Sequence, residues 1–206
     1  MNPRMKRDST NESSLKQRHQ EATRRAILQA AEAQLAESGL HGTRMEDVAA
    51  RAGVSVGTIY NHLGDRQTML AQLLSARRHE LVARVDDELR GSQSQDFDAQ
   101  LQGFVRAVFD HFQTHLPLFR ILAAEELASD SAAKRSLLAA LLERAQGLLD
   151  RGVEQGRVPA QDTALYSLFL LGMIRGVFAP VVSGNLDTAG VPEQVAAFFL
   201  RGVQLR

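Results

Sequence analysis

GVSVGTIYNHLGDRQTML, residues 53–70, holds the reading that decides the fold. Two glycines, at 53 and 64, bracket a segment long enough for about two helical turns. Ser55 is placed to cap a short helix running to about Leu63, with Val54 plugging the turn before it. Ile59 and Leu63 fall on one side with Val54. The other side shows Ser55, Val56, Gly57, Thr58, Tyr60, Asn61 and His62, small or hydrogen-bonding residues with no acid among them. A helix that only faces water usually carries Glu and Lys. Hydroxyl, amide and imidazole groups beside exposed backbone amides suit phosphates and base edges.

Upstream, Met45, Val48, Ala49 and Ala52 form the buried stripe of another short helix, which Gly53 closes. Thr43-Arg44-Met45-Glu46 reads as a capping box, the Thr43 hydroxyl taking the N3 amide while Glu46 reaches back. Before it, Ile27, Leu28, Ala31 and Leu35 line one face of a first helix ended by Gly39. Downstream, Asp65 caps a long helix whose inner side is Leu70, Leu73, Leu74, Leu81, Val85 and Leu89, ending near Gly91-Ser92. Two short helices joined by a tight turn are a helix-turn-helix, in which the second helix enters a major groove of duplex DNA.

From about Thr23 to Leu70 the chain resembles the DNA-binding domain of TetR-type transcriptional regulators: Gly-Val-Ser, Gly-Thr-Ile-Tyr and the following His stand in that family's order and spacing. The resemblance implies a dimeric, ligand-responsive regulator, a repressor that leaves a near-palindromic operator when a small, largely apolar effector binds. It places Thr43 and Arg44 against the phosphate backbone. Ser55, Thr58, Tyr60 and His62 would contact phosphates and bases, and Val56, Gly57 and Asn61 would lie nearest the base edges. Arg66, at the start of the fourth helix, takes the place of a phosphate clamp. Arg44 stands where a small hydroxyl residue is common, and Leu63 where Phe is frequent. Read without the family, Tyr60 and His62 also fit ordinary packing and helix-end roles, and Arg44 and Arg66 ordinary surface charges.

Beyond Gly91 apolar residues still recur every three or four positions, with no sustained two-residue alternation, so the whole chain reads as all-α with about nine helices. Leu101, Phe104, Val105, Val108, Phe109 and Phe112 mark a fifth helix stopped before Pro117. A sixth spans about Leu118 to Ala128, and a seventh follows Asp130. Asp162 is placed to cap an eighth running to Val182, and Pro192 sits in the first turn of a ninth. The aromatic stripe here fits core packing. The family resemblance adds an effector cavity between the middle helices, near Phe104, Val108, His111, Phe112, Phe119, Leu122, Tyr166 and Phe169. Its polar determinants would come from His111, His115, Glu125 or Glu126. His111 and His115 share a helix face at a spacing that can hold zinc, but Phe112 follows His111, so the metalloprotease pattern with its glutamate base is absent, and exposed or pocket-lining histidines are expected. No metal or other cofactor is expected.

From Ala164 to Val182 the only charge is Arg175, in a run close to the ~20 residues of a membrane span. A span would bury Arg175 in lipid, and no basic cluster flanks it. An all-round apolar helix also suits a large interface, and Gly172 and Gly176 permit close approach of a partner. The expectation is a homodimer seam from the eighth and ninth helices of two chains, using Leu168, Leu171, Gly172, Arg175, Gly176, Val195 and Phe199. No membrane is involved in this reading.

The formal net charge is zero, so the chain is no general polycation. Residues 1–25 nevertheless carry Arg4, Lys6, Arg7, Lys16, Arg18, Arg24 and Arg25 against Asp8, Glu12 and Glu21, leaving the remainder acidic by the same amount. A basic end on an acidic body fits a protein that meets phosphates at one end. The expected organisation is a flexible basic arm at 1–19, the helix-turn-helix domain at 20–66 and an effector-binding and dimerisation domain at 67–206. With no cysteine there are no disulfides or thiolate chemistry. The opening MNPRMKRDST has no apolar stretch behind its charges, and a cytoplasmic location is expected. Nucleophile elbow, phosphate loop and metal triad are all missing from the sequence, so no enzyme is expected.

Overall fold

Gly39 and Gly53 set the path of the N-terminal part. In a computed structural model, which describes residues 3–124 and 131–203 and the side chains of residues 16–123 and 134–203, both glycines adopt left-handed φ, near 66° and 69°. Only glycine adopts this region at little cost. At Gly39 the helical path of α1 (Pro3–Gly42) breaks. At Gly53 α2 (Met45–Ala52) ends in a Schellman arrangement, the Val54 amide donating to the Ala49 carbonyl at 3.1 Å and the Gly53 amide to Ala50 at 3.2 Å. α3 (Val56–Leu63) follows, and α4 (Arg66–Gly91) runs on from Asp65, whose carboxylate accepts the Thr68 amide at 2.8 Å.

The described residues form nine helices and no strand. They fall into two compact units, Met1–Leu74 and Ser75–Arg206, so the division lies inside α4 rather than at its start. The core of the first unit is Ile27, Leu28, Ala31, Leu35, Val48, Ala49, Ile59, Leu63, Met69 and Leu73, all buried. A fully buried Ile or Leu contributes ~1.5–3 kcal/mol, so Ile59 and Leu63, both fully buried, are the anchors that set which side of α3 faces the core. Arg51 of α2 pairs with Glu37 of α1 at 2.7 Å.

Two local expectations are corrected. The first helix starts at Pro3, where a loose arm was expected; residues 4–38 contain neither glycine nor proline, so nothing in the chain interrupts the intrahelical bonds. Thr43 does not cap α2. Its hydroxyl donates back to the Gly39 carbonyl at 2.7 Å, and Arg44 occupies the N-cap without a side-chain bond. The exposed carbonyl left by the break at Gly39 outcompetes the forward amide.

The second unit comprises the rest of α4 with α5 (Phe97–Thr114), α6 (Leu116–Ala124), α7 (Ser131–Glu154), α8 (Thr163–Val182) and α9 (Val191–Val203). Asp96 caps α5 through the Ala99 amide at 2.8 Å. α7 packs on α8 and α5 on α9, around Phe97, Leu101, Phe104, Val105, Phe109, Leu148, Leu149, Leu170 and Ala196. Gly152 lets α7 approach closely: a Cβ there would stand 2.7 Å from the Phe97 ring and 2.8 Å from Val158. Arg144 of α7 grips Asp86 of α4 with two bonds, 2.6 and 2.8 Å. Asp162 is a further correction. It precedes α8 in a left-handed conformation without a side-chain cap bond, and Thr163 instead donates its hydroxyl to Asp150 at 2.8 Å.

Candidate nucleic-acid interface

With Ile59 and Leu63 turned into the core, the opposite side of α3 faces outward. Ser55, Gly57, Tyr60 and Asn61 are exposed, Tyr60 by 51 %; Val56, Thr58 and His62 are half-buried. Ser55 accepts the Thr58 amide at 3.1 Å, and the two hydroxyls bond each other at 2.8 Å. Two hydroxyls sharing one bond leave one O–H proton to donate elsewhere. No carboxylate lies on this side between Ser55 and Gly64, so a phosphate approaching α3 meets donors and no like charge from that segment. The face is also steadied from behind: Gln72 of α4 reaches the His62 and Leu63 carbonyls at 3.4 Å, and Arg24 of α1 donates to Gln72 at 3.0 Å.

The remaining expected contacts divide. Arg44 is exposed. Thr43 is buried, 5 % exposed, and its only hydroxyl proton is taken by Gly39, so its side chain has none for a phosphate; that expectation is withdrawn. Arg66 is half-buried, with Nε and Nη2 enclosed and without a hydrogen-bond partner among the described residues. The N–H groups on those two atoms are unspent donors, available if the side chain swings toward an anion. Gln72 and Arg24 were not anticipated, because their effect is to hold a neighbouring helix end and no local motif announces that.

In the second unit the residues expected around one effector cavity separate. Phe104 and Val108 are buried in the core, and His111 and Leu122 are nearly so. Phe112 stacks against Phe178 at 3.8 Å and Phe119 at 4.7 Å between ring centroids. Glu125 and Glu126 lie outside the described residues. Phe169 does not join this group. It is 54 % exposed on the outer side of α8, in a cleft of about 550 Å3 shared with Tyr166, Leu168, Gly172, Met173 and Phe198. A second cleft of about 610 Å3 is lined by Arg120, Ala123, Arg175, Phe178, Ala179 and Val182.

The expected dimer residues also sort by exposure. Leu168, Gly172, Arg175 and Gly176 are exposed, while Leu171, Val195 and Phe199 are 5, 7 and 3 % exposed within their own chain. Those three serve the chain's own core, a correction that follows from helical period: they turn inward beside Leu170, Ile174 and Ala196. Phe198, 71 % exposed, was not anticipated, because its neighbour Phe199 looks identical in the sequence and only packing separates them.

Two family models match this chain. One, for bacterial regulatory proteins of the tetR family, covers residues 27–73. The other, for the tetracyclin repressor-like C-terminal domain, covers residues 94–203. The chain belongs to the TetR family. This TetR-family protein is a DNA-binding transcriptional regulator. The repressor SCO4008 of Streptomyces coelicolor is 26 % identical over 160 residues, 75 % of this chain and 77 % of that protein. The structure of KstR2 from Mycobacterium tuberculosis, described as a ketosteroid transcriptional regulator, has a TM-score of 0.60 at 27 % identity and covers 89 % of this chain and 95 % of its own. A transcriptional regulator from Cytophaga hutchinsonii shares the fold with a TM-score of 0.72 at 20 % identity, covering 87 % and 97 %.

Proposed function

We propose that this regulator is a repressor that binds a near-palindromic operator as a homodimer and releases it when a small, largely apolar molecule enters the C-terminal unit. The observation that carries the DNA half is the outward side of α3: exposed, rich in donors, free of carboxylates between Ser55 and Gly64, and fixed by Ile59 and Leu63. In a major groove, Val56, Gly57 and Asn61 would sit closest to base edges, with Ser55, Thr58, Tyr60, His62 and Arg44 on flanking phosphates. Arg66 would turn its enclosed guanidinium to a phosphate at the start of α4, where the helix end favours an anion.

The dimer half is supported by α8. Among the described residues it is the helix long and apolar enough to cross a membrane, yet Ser167, Leu170, Leu171, Ile174 and Val181 are buried in the chain's own core. Its outer side, with Leu168, Phe169 and the neighbouring Phe198, remains exposed. A contiguous exposed apolar patch of this kind marks an interaction surface. At Gly172, Gly176 and Gly202 a Cβ would meet nothing within 4 Å, so the surface is low where a second copy would lie. Two-fold symmetry then presents two α3 helices to half-sites one turn, ~34–36 Å, or a little more apart.

Release is a population shift: effector and operator favour different conformers, and a difference of a few kcal/mol suffices. The ring of Phe178 in the cleft at α6 and α8, with Phe112 stacked on it and Ala123, Ala179 and Val182 beside it, supports an effector that is largely apolar, and Arg120 and Arg175 would meet its polar end. Such a protein works in the cytoplasm, where operator DNA is.

The test is a gel shift across the promoter of the protein's own gene with the wild type, Tyr60→Phe and Arg66→Ala. Both variants should weaken binding, each by about tenfold (~1.4 kcal/mol for one lost contact to a charged group), while the mass of the dimer is unchanged. Binding unaltered in both would defeat the assignment of contacts.

A further inference from the structure

His111 and His115 gain in three dimensions what they lack in the sequence, a carboxylate. Glu80 of α4 lies opposite them, and one ligating atom from each of the three residues falls within 4.8 Å of the others. Glu80 Oε1 is 3.5 Å from His115 Nε2, and the two imidazole rings are 4.7 Å apart. An ion bound tetrahedrally at ~2.0–2.2 Å spaces its ligands by roughly 3.3–3.6 Å. The Glu80–His115 pair already stands at that separation, and small rotamer changes would bring in the third group.

We propose that Glu80, His111 and His115 form a site for a divalent transition-metal ion of the zinc type, clamping α4 to α5 and leaving one coordination position open. Two imidazoles and one carboxylate are the donor set that suits such an ion, and a vacant fourth position is the mark of a site that exchanges ligands. An independent observation points the same way. His111 is 2 % exposed, and its Nδ1 is enclosed without a hydrogen-bond partner among the described residues. Buried polar atoms are normally satisfied, so one that is not calls for an explanation. Burial, and then the neighbouring His115, push the His111 pKa down to about 4.

The surroundings set the charge. Arg77 donates to Glu80 Oε2 at 2.7 Å, which leaves Oε1 for the ion and fixes the carboxylate's orientation. Burial alone would raise the Glu80 pKa, but the Arg77 hydrogen bond and charge outweigh it, and the group lies below its ordinary value. Arg77 and Arg84 both oppose incoming positive charge, so the carboxylate is indispensable. Glu80 is exposed while both histidines are buried, which gives the ion an entrance.

The experiment uses the full-length protein, stripped with a chelator and without DNA. Zn2+ is titrated calorimetrically, and Co2+ is followed by its visible absorption. One ion should bind per chain, and Co2+ should give bands of tetrahedral intensity. Glu80→Gln and His115→Gln should each weaken binding at least about tenfold, since losing a ligand costs no less than losing a group that supports one. Glu143→Gln, on α7 outside the cluster, should leave it unchanged. If His115→Gln does not fold, Glu80→Gln alone decides, because that side chain is exposed and keeps its shape. Zn2+ failing to bind, or binding equally to Glu80→Gln, overturns the proposal. Since DNA takes no part, that failure would leave the reading of α3 untouched.

Discussion

The outer sides of α3 and α8 are both exposed, and they differ in what they lack. α3 presents hydroxyls, an amide, a phenol and an imidazole around a small apolar patch, with no acid between Ser55 and Gly64. α8 presents Leu165, Leu168 and Phe169, with Phe198 of α9 beside them. In each case the inward side is spoken for by the core, so the outward composition is free to record the partner. A surface of donors without carboxylates suits a polyanion. A surface of large apolar groups around glycines suits another protein surface. The contrast teaches that composition becomes informative about partners once packing has fixed which side faces out.

The contrast breaks most severely if a charge enters the apolar side. Phe169→Glu should weaken the dimer by about 3–5 kcal/mol, the scale of an uncompensated buried charge, with helical content intact. Sedimentation equilibrium measures it. A dimer of wild-type strength would place the interface elsewhere. A smaller effect separates the α8 surface from the core beneath it. Gly152→Ala would ordinarily gain up to ~1 kcal/mol in a helix, but its Cβ would press on Phe97 and Val158 at 2.7–2.8 Å. Overpacking costs ~1–3 kcal/mol, so chemical denaturation should show a net loss of up to ~2 kcal/mol where a gain of ~1 kcal/mol would otherwise be seen.

The smallest effect concerns pH. The bidentate hydrogen bonds from Arg144 hold the Asp86 pKa below its ordinary value of 3.8. A carboxylate whose folded pKa is depressed stabilises the protein fully above its unfolded value, and that contribution is lost as pH falls through the folded value. Asp86→Asn should therefore cost ~0.5–1 kcal/mol at neutral pH, discounted for partial exposure. The gap between the two proteins should close below pH 3.8, as urea denaturation at several pH values would show.

The same two regions mark how far the sequence could be read. In the first unit the chain's order fixes the geometry: Gly53 must turn left-handed, Ser55 meets the Thr58 amide three residues on, and Asp65 meets Thr68. These are local bonds, and local spacing announces them. Thr43 was misread because two carbonyl and amide partners were within its reach and the break at Gly39 chose between them. In the second unit the informative relations are long-range. Nothing in the spacing brings Glu80 to His111 and His115, or tells Phe198 from Phe199. Helix identity was legible there from periodicity, but the rotation of each helix was set by packing.

The central claim, that the outward side of α3 sits in a groove of DNA, is tested most directly at Gly57. It is exposed, its φ is ordinary, and a Cβ there would meet only the Ser55 hydroxyl, at 3.8 Å. Gly57→Asp should thus fold and dimerise like the wild type while placing a carboxylate against the polyanion. Fluorescence anisotropy on the promoter fragment should show affinity falling by roughly a hundredfold or more, as like charges brought together cost several kcal/mol. Operator binding as tight as the wild type's would contradict the account.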